Sequence, residues 1–148
     1  MTAKTRDQIA ALPLRLAKGG VIEVLLVTSR ETKRWIVPKG WPMKGLKDRQ
    51  AAALEAQEEA GVKGHVLRDA IGTYAYWRRA EDHFQLCTVA VFALKVEKQL
   101  KSWKERGQRE TRWENVLEAA HLVSEPELST LIVRLPANRR VLKLLSKG

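Results

Sequence analysis

Cysteine is nearly absent from this chain of 148 residues, in which Cys87 is the single one. An internal disulfide is therefore impossible, which agrees with a reducing compartment. Because Cys87 sits in an apolar run without His and Asn partners, we expect it to be a small buried residue rather than a nucleophile. The three histidines, His65, His83 and His121, lack the spacing of metal ligands, so we expect none of them to be catalytic.

Long apolar runs are also missing. No stretch of about 18 apolar residues is available to span a bilayer, and the composition is that of a globular protein. The N-terminus carries charges together with Gln8 and Pro13 instead of an apolar core and a cleavage site, so no secretory signal is visible. We therefore expect no membrane partner and a cytoplasmic location. The length and the lack of repeats or linkers predict a single domain over 1–148.

Acidic residues are outnumbered by basic ones. The 27 Lys and Arg residues exceed the 17 Asp and Glu residues, which gives a net charge of +10. Such a surplus favours an anionic partner, which includes polyphosphate, nucleic acid and an acidic membrane surface. Charge alone does not choose among these partners, and solubility is also a sufficient reason for a basic surface.

The apolar runs predict a sheet, a helix, more sheet and then helices. Strands are expected at 8–16 and 21–29, with a hairpin at Gly19 and Gly20, and at 35–37. The most regular helix should cover 47–60 and end at Gly61. Further strands are predicted at 66–77, 84–96 and 111–113, and further helices at 114–122, from Pro126 onward and at 138–146. These elements predict helices packed on a mixed sheet.

Three glutamates, Glu55, Glu58 and Glu59, lie on the predicted helix at i, i+3 and i+4 spacing. A helix advances about 100° per residue, so all three side chains project from one face. Clustered like charges are unfavourable unless cations screen them, and hard divalent metals prefer oxygen ligands. The glutamates alone favour a solvated acidic face over a metal site.

The residues around the glutamates favour a metal site, because together they resemble the signature of the Nudix hydrolase family. That signature reads G, five residues, E, seven residues, R-E, an aliphatic residue, any residue, E-E, any residue, G and an aliphatic residue. Gly40 matches the first glycine, Glu55 the glutamate after R, Glu58 and Glu59 the E-E pair, and Gly61-Val62 the end. The likeness covers about 8–135 and is similar to members that hydrolyse diphosphoinositol polyphosphates and dinucleoside polyphosphates. It implies an α+β fold, a single-domain α/β/α sandwich with a mixed β-sheet.

Two positions depart from the signature. Leu46 stands where the family usually has Glu, and Leu54 stands where it usually has Arg. The resemblance implies that this Arg orients the glutamates and pairs with the first Glu. Losing both partners together avoids an unpaired buried charge, and a contact between the two leucines would replace the ion pair. The metal ligands remain, so we expect the rate of catalysis to be the affected property.

The resemblance implies hydrolysis of a phosphoanhydride bond in a nucleoside polyphosphate, dinucleoside polyphosphate or diphosphoinositol polyphosphate. Water activated by Mg²⁺, or alternatively by Mn²⁺, would attack the phosphorus. Glu55, Glu58 and Glu59 are then the catalytic and metal-binding residues, with the backbone carbonyl of Lys39 or Gly40 as a further ligand. An additional carboxylate from outside the signature is also implied, for which Glu105 and Glu110 are the candidates.

Basic residues near the signature are expected to bind the polyphosphate, because arginine forks match phosphate oxygens well. The residues chosen are Arg30, Arg34, Lys39, Lys44 and Arg78. Trp41 follows Gly40 and either stacks on a base or packs against its own loop.

Two alternatives stay open. One is a non-catalytic module on the same fold that binds polyphosphate or nucleotide and lost its chemistry with the changes to Leu46 and Leu54. The other is nucleic-acid binding driven by the net charge of +10, either as an RNA-end hydrolase or as a non-enzymatic binder. It ranks last because no RNA-recognition aromatic motif and no long basic stripe is visible. The sequence does not determine the oligomeric state or the number of metal ions.

Overall fold

The computed structural model describes residues 6–147, which form eight β-strands and four α-helices. The strands are β1 (Arg6–Leu16), β2 (Ile22–Thr28), β3 (Trp35–Ile36), β4 (Lys39–Gly40), β5 (Val62–Val66), β6 (Gly72–Arg79), β7 (Phe84–Gln99) and β8 (Thr111–Asn115). The helices are α1 (Asp48–Ala60), α2 (Val116–Leu122), α3 (Pro126–Val133) and α4 (Arg139–Ser146). In this part of the chain, no helix is both long and apolar enough to cross a bilayer.

The eight strands of the described residues form one mixed sheet. Its path runs β3-β2-β1-β7-β5, and β4, β6 and β8 pair with β1, β7 and β2 respectively. β1 and β7 are parallel, whereas β1 and β2 are antiparallel. The hairpin predicted between β1 and β2 is therefore confirmed, with Gly19 and Gly20 at φ angles of 81° and 77°.

The sheet is buried on both faces, because helices cover each side. On β1, Ile9 and Ala11 face a core that includes Ala56 of α1. The alternate residues of the same strand, such as Leu12, face a second core that includes Ile132 of α3. This alternation follows from the two-residue period of a strand. The α/β/α sandwich expected from the sequence is confirmed, and Cys87 is buried as predicted.

Several predicted element boundaries differ from the structure, two of them in ways that matter for the fold. The strand expected at 66–77 corresponds to β6, which starts only at Gly72, whereas Val66 is the last residue of β5 and the exposed Arg68 and Asp69 lie between the two strands. The helix expected at 114–122 starts at Val116. Asn115 caps it, since its side chain accepts a hydrogen bond from the N–H of Glu118 at 2.9 Å.

Helix α1 agrees closely with the helix predicted over 47–60. It packs on the sheet through small residues that include Ala52 and Ala56, both fully buried, so its backbone lies close to the strands. Gly61 ends the helix in the left-handed conformation at φ 69°. A Cβ atom at Gly61 would also overlap the ring of Trp103, so both the turn and the packing require glycine here. The helix is thereby fixed against the sheet with its glutamates beside β4.

Candidate active site

The three glutamates of α1 have unequal surroundings. The side chain of Glu59 is 4% exposed, whereas that of Glu58 is 28% exposed. Glu55 and Glu59 lie one helical turn apart, close enough for a proton on one carboxyl group to interact with the other. Oε2 of Glu58 instead lies 3.7 Å from Nζ of Lys104. Glu55 and Glu59 thus form a carboxyl pair, and Glu58 lies closer to solvent than Glu59 does.

Gly40 lies directly against this carboxyl pair. A Cβ atom at Gly40 would overlap the carboxylate of Glu55, so a larger residue here would force that carboxylate to move. Gly40 is held there because β4 pairs with β1, in the register that places Gly40 opposite Ile9. Two residues selected from the sequence as metal-binding candidates, Gly40 and Glu55, are therefore in contact.

The carboxyl pair is protonated more readily than isolated glutamates are. Burial raises the pKa of Glu59 to about 9, with the hydrogen bond to Glu55 acting in the same direction and Arg109 opposing it. Burial also raises the pKa of Glu55, while its hydrogen bond to Glu59 opposes the shift. At neutral pH the metal-free pair therefore shares a proton, which a bound cation would displace.

Arg109 is a site residue that the sequence patterns do not reveal. It lies in the loop between β7 and β8, and its side chain is only 10% exposed. Its Nε lies 2.9 Å from Oε1 of Glu105 and 3.9 Å from Oε1 of Glu59. Its Nη1 donates a hydrogen bond to the carbonyl oxygen of Thr28 at 3.0 Å. The only sequence signal was the i, i+4 spacing of Glu105 and Arg109, which is too common in a charged loop to identify a site.

Glu105 is the outside carboxylate that the structure brings to α1. Its backbone N–H donates to the carbonyl oxygen of Glu58 at 2.9 Å, which attaches the loop to the end of the helix. Its Oε1 also lies 3.9 Å from Nη1 of Arg30. Glu110, the other candidate, is exposed. The positions therefore favour Glu105.

A cleft of about 420 Å³ opens beside Glu59. Four of the five residues selected from the sequence as substrate ligands line it, namely Arg30, Arg34, Lys39 and Arg78. Arg79 and Arg109 line it as well. The fifth, Lys44, is exposed in the loop before α1 and is not among the lining residues. Six cationic side chains around one buried carboxyl group make this cleft suitable for a polyanion.

A larger cavity, of about 630 Å³, lies elsewhere on the molecule. Its lining is mostly apolar and includes Val21, Leu117 and Leu142, without an acidic or basic side chain. Because acid, base and metal chemistry require such groups, we place the candidate active site in the smaller cleft.

Two buried side-chain atoms within residues 6–147 have no hydrogen-bond partner, namely Oε1 of Glu59 and Nε of Arg78. Both residues line the cleft. Leaving such a group unsatisfied costs about 1–3 kcal/mol. A cation next to Glu59 and an anionic oxygen next to Arg78 would satisfy both groups at once.

Two cationic side chains of the cleft make cation–π contacts with aromatic rings. Nζ of Lys39 lies 5.0 Å from the centroid of the Tyr76 ring, and the guanidinium of Arg78 lies 5.3 Å from that of Trp41. Burial lowers the pKa of Lys39, although the nearby Glu59 opposes this shift. The ring of Trp41 faces Arg78 of β6, and the choice between base stacking and packing against its own loop stays a prediction.

The described part of the chain holds no group of three His, Cys, Asp or Glu side chains already arranged to bind a metal ion. The carboxylate of Glu58 lies next to Lys104, so only the carboxyl groups of Glu55 and Glu59 are close together. The residues nevertheless fit a divalent cation, because the candidate ligands of Glu55, Glu59 and Gly40 are all oxygen atoms, which such cations prefer. Oε1 of Glu59 is also buried and accepts no hydrogen bond.

Fold and site together define a class of protein, an α/β/α sandwich in which a helix with clustered glutamates presents one of them, Glu59, to a cationic cleft. The sequence model described as the NUDIX domain matches residues 4–135. Nudix hydrolase 16, mitochondrial, of Arabidopsis thaliana is 35% identical over 119 residues, which are 78% of this chain and 66% of that protein. The chain therefore belongs to the Nudix family.

Solved structures agree with this fold. An Ap4A hydrolase of C. elegans matches with a TM-score of 0.65 and 19% identity over 90% of this chain and 98% of that chain. The NUDIX domain of Shewanella oneidensis NrtR, complexed with ADP ribose, matches with a TM-score of 0.65 and 12% identity over 93% of this chain and 91% of that chain.

The chain spans between about half and two thirds of the length of the first curated relatives that it matches. The names of these relatives place them in mitochondria. The cytoplasmic location expected for this chain stays a prediction.

Proposed function

We propose that this chain hydrolyses a phosphoanhydride bond in a nucleoside polyphosphate, dinucleoside polyphosphate or diphosphoinositol polyphosphate, with Mg²⁺ or Mn²⁺ as cofactor. The observation that carries the proposal is the pair of unsatisfied groups in one cleft, Oε1 of Glu59 and Nε of Arg78. Oε1 of Glu59 accepts no hydrogen bond, although Nε of Arg109 lies 3.9 Å away, and Nε of Arg78 donates none. A metal–polyphosphate complex would supply a partner to both atoms. Divalent metal use is general among Nudix hydrolases, which supports this choice.

The acidic and the basic residues of the site would have different roles. Glu55 and Glu59, joined by Glu58 and the backbone carbonyl of Gly40, would hold the metal ion. A bound divalent ion lowers the pKa of the attacking water and offsets charge on the phosphate oxygens. Glu105 is available to accept a proton from that water, because its loop is attached to the end of α1 through the hydrogen bond to Glu58.

The cationic side chains would bind and orient the substrate. Arg34, Lys39 and Arg78 line the cleft and would contact phosphate oxygens, with Arg78 offering its unsatisfied Nε. Arg109 would act on the carboxylates rather than on the substrate, since it already contacts Glu59 and Glu105.

The test is a panel of the three substrate classes, assayed with Mg²⁺, with Mn²⁺ and with a chelator. We expect metal-dependent release of phosphate products from at least one substrate, and loss of that release in Glu58→Gln and Glu59→Gln. Glu118→Gln is the matched control, because Glu118 lies on helix α2 outside the cleft. Wild-type turnover in Glu59→Gln would refute the metal-binding assignment.

A second candidate function is a binding module that senses the same ligands without efficient turnover. It is favoured by Leu46 and Leu54 in place of a charged pair, and by the position of Glu58 next to Lys104. Calorimetry would then detect tight binding of a polyphosphate by a protein that does not hydrolyse it. Metal-dependent turnover well above that of Glu58→Gln would exclude this candidate.

A further inference from the structure

Two large aromatic side chains of the β6–β7 hairpin lie in solvent. Trp77 is 61% exposed and Phe84 is 64% exposed. Neither belongs to the two hydrophobic cores, so packing inside the described fold does not account for them. Exposed apolar surface of this kind marks a binding site when its members are adjacent.

The two rings share one face of the hairpin. Arg79 pairs with Phe84 and Trp77 pairs with Leu86, so Trp77 and Phe84 are diagonal neighbours across the two strands. Together they line a shallow depression. Diagonal neighbours with large side chains are within reach of each other, so the two rings present one flat apolar surface.

This surface is continuous with the cationic cleft. Trp77 lines the depression and also lines the cleft that contains Glu59, Arg78 and Arg79. A ligand whose phosphates lie among the arginines would therefore place its adjoining group over Trp77.

The aromatic character of this surface restricts what that group can be. Every nucleobase has a π-face that stacks on an aromatic side chain, and an inositol ring has none. Arg79, Glu81 and Asp82 of the same hairpin carry charges of both signs, so charge at the tip does not choose between the two groups.

We infer that Trp77 and Phe84 form an aromatic platform that stacks the base of a nucleotide substrate. Nucleoside and dinucleoside polyphosphates are then the substrates, in preference to diphosphoinositol polyphosphates. This inference rests on the proposed function, since it assumes that the phosphates occupy the cleft.

The experiment compares diadenosine tetraphosphate with two ligands without a base, diphosphoinositol pentakisphosphate and inorganic tripolyphosphate. Trp77→Ala and Phe84→Ala should each raise KM for the dinucleotide by about 5-fold to 150-fold, the range that follows from stacking energies, with little change in kcat. KM for the base-free compounds should not change. Trp77→Phe should recover most of the affinity, because it keeps an aromatic face. Leu117→Ala is the matched control, since Leu117 is 74% exposed and lies outside the cleft.

Calorimetry with a non-hydrolysable dinucleotide analogue separates this inference from the proposed function. If no substrate is hydrolysed but Trp77→Ala still weakens binding of the analogue, the hydrolase proposal fails and the platform stands. Equal losses for substrates with and without a base, or no loss at all, would overturn the platform. An oligomeric state that changes with Trp77→Ala while nucleotide binding does not would identify a second copy of the chain as the occupant and also overturn it.

Discussion

Nε of Arg109 lies 3.9 Å from Oε1 of Glu59, in a setting where both side chains are almost completely buried. The same nitrogen contacts Glu105 at 2.9 Å, so one guanidinium group connects a carboxyl group of α1 with a carboxyl group of the β7–β8 loop. An arginine that bridges two acidic groups positions them and lowers their mutual repulsion. Arg109 thus fixes the loop to the helix at the candidate active site.

Replacing Arg109 should destabilise the protein. Arg109→Met removes hydrogen bonds to Glu105 and to the carbonyl oxygen of Thr28, so we expect the free energy of unfolding to fall by about 1.5–3 kcal/mol. Urea denaturation measures the change. Arg106→Met is the matched control from the same loop, because Arg106 is exposed, and it should change stability by less than about 0.5 kcal/mol. Equal effects of the two substitutions would show that Arg109 has no special role.

The stability of the metal-free protein should depend on pH through Glu59. Its pKa is raised from 4.5 to about 9 in the folded protein, so between these values the folded state keeps a proton that the unfolded state has lost. Stability is therefore highest below the lower value and falls as the pH rises towards 9, by at most about 1.4 kcal/mol per pH unit.

Glu59→Gln should remove this dependence, because glutamine is neutral in both states. The variant should be more stable than the unsubstituted protein near pH 8, and the advantage should shrink towards pH 5. Denaturation curves in the presence of a chelator, measured across this range, provide the test. Parallel stability profiles for the two proteins would contradict the raised pKa.

Gly40→Ala should disturb Glu55 specifically. The added Cβ atom would overlap the Glu55 carboxylate, which ends a flexible side chain and would move away, so the substitution should weaken the binding of Mn²⁺ and change stability by less than about 1 kcal/mol. The double variant Gly40→Ala/Glu55→Ala should bind Mn²⁺ no more weakly than Glu55→Ala alone. A double-mutant cycle measures this coupling, and additive effects on Mn²⁺ binding would show that the two residues do not interact.

Arg78 and Lys44 provide a matched test of the cleft. Arg78 lines it with an unsatisfied Nε, whereas Lys44 does not line it. Arg78→Met should raise KM for the best substrate by about 10-fold to 150-fold, because a charge-assisted hydrogen bond to phosphate is lost. Lys44→Met removes the same charge and should leave KM close to its original value. A larger effect for Lys44→Met would show that the substrate lies outside the cleft.

Much of the fold could be predicted from local patterns. The apolar content of β1 and β2 follows from burial on two faces, and the paired glycines at Gly19 and Gly20 mark the turn between them. The predicted ends of strands and helices were less accurate where a residue is compatible with both a strand and a helix. Glu114 favours a helix, yet it lies in β8 because the side chain of Asn115 provides the cap that starts α2.

The sequence by itself determined the carboxylate helix, because the spacing of Glu55, Glu58 and Glu59 and the glycine at its end are local properties of the chain. Only the tertiary structure decided how those glutamates differ. Helix packing buries Glu59, while Glu58 one position earlier stays near Lys104. The same packing brings Arg109 to Glu59 and makes Trp77 continuous with the cleft. These relationships depend on contacts between residues far apart in the chain, and no periodicity within a single segment encodes such contacts.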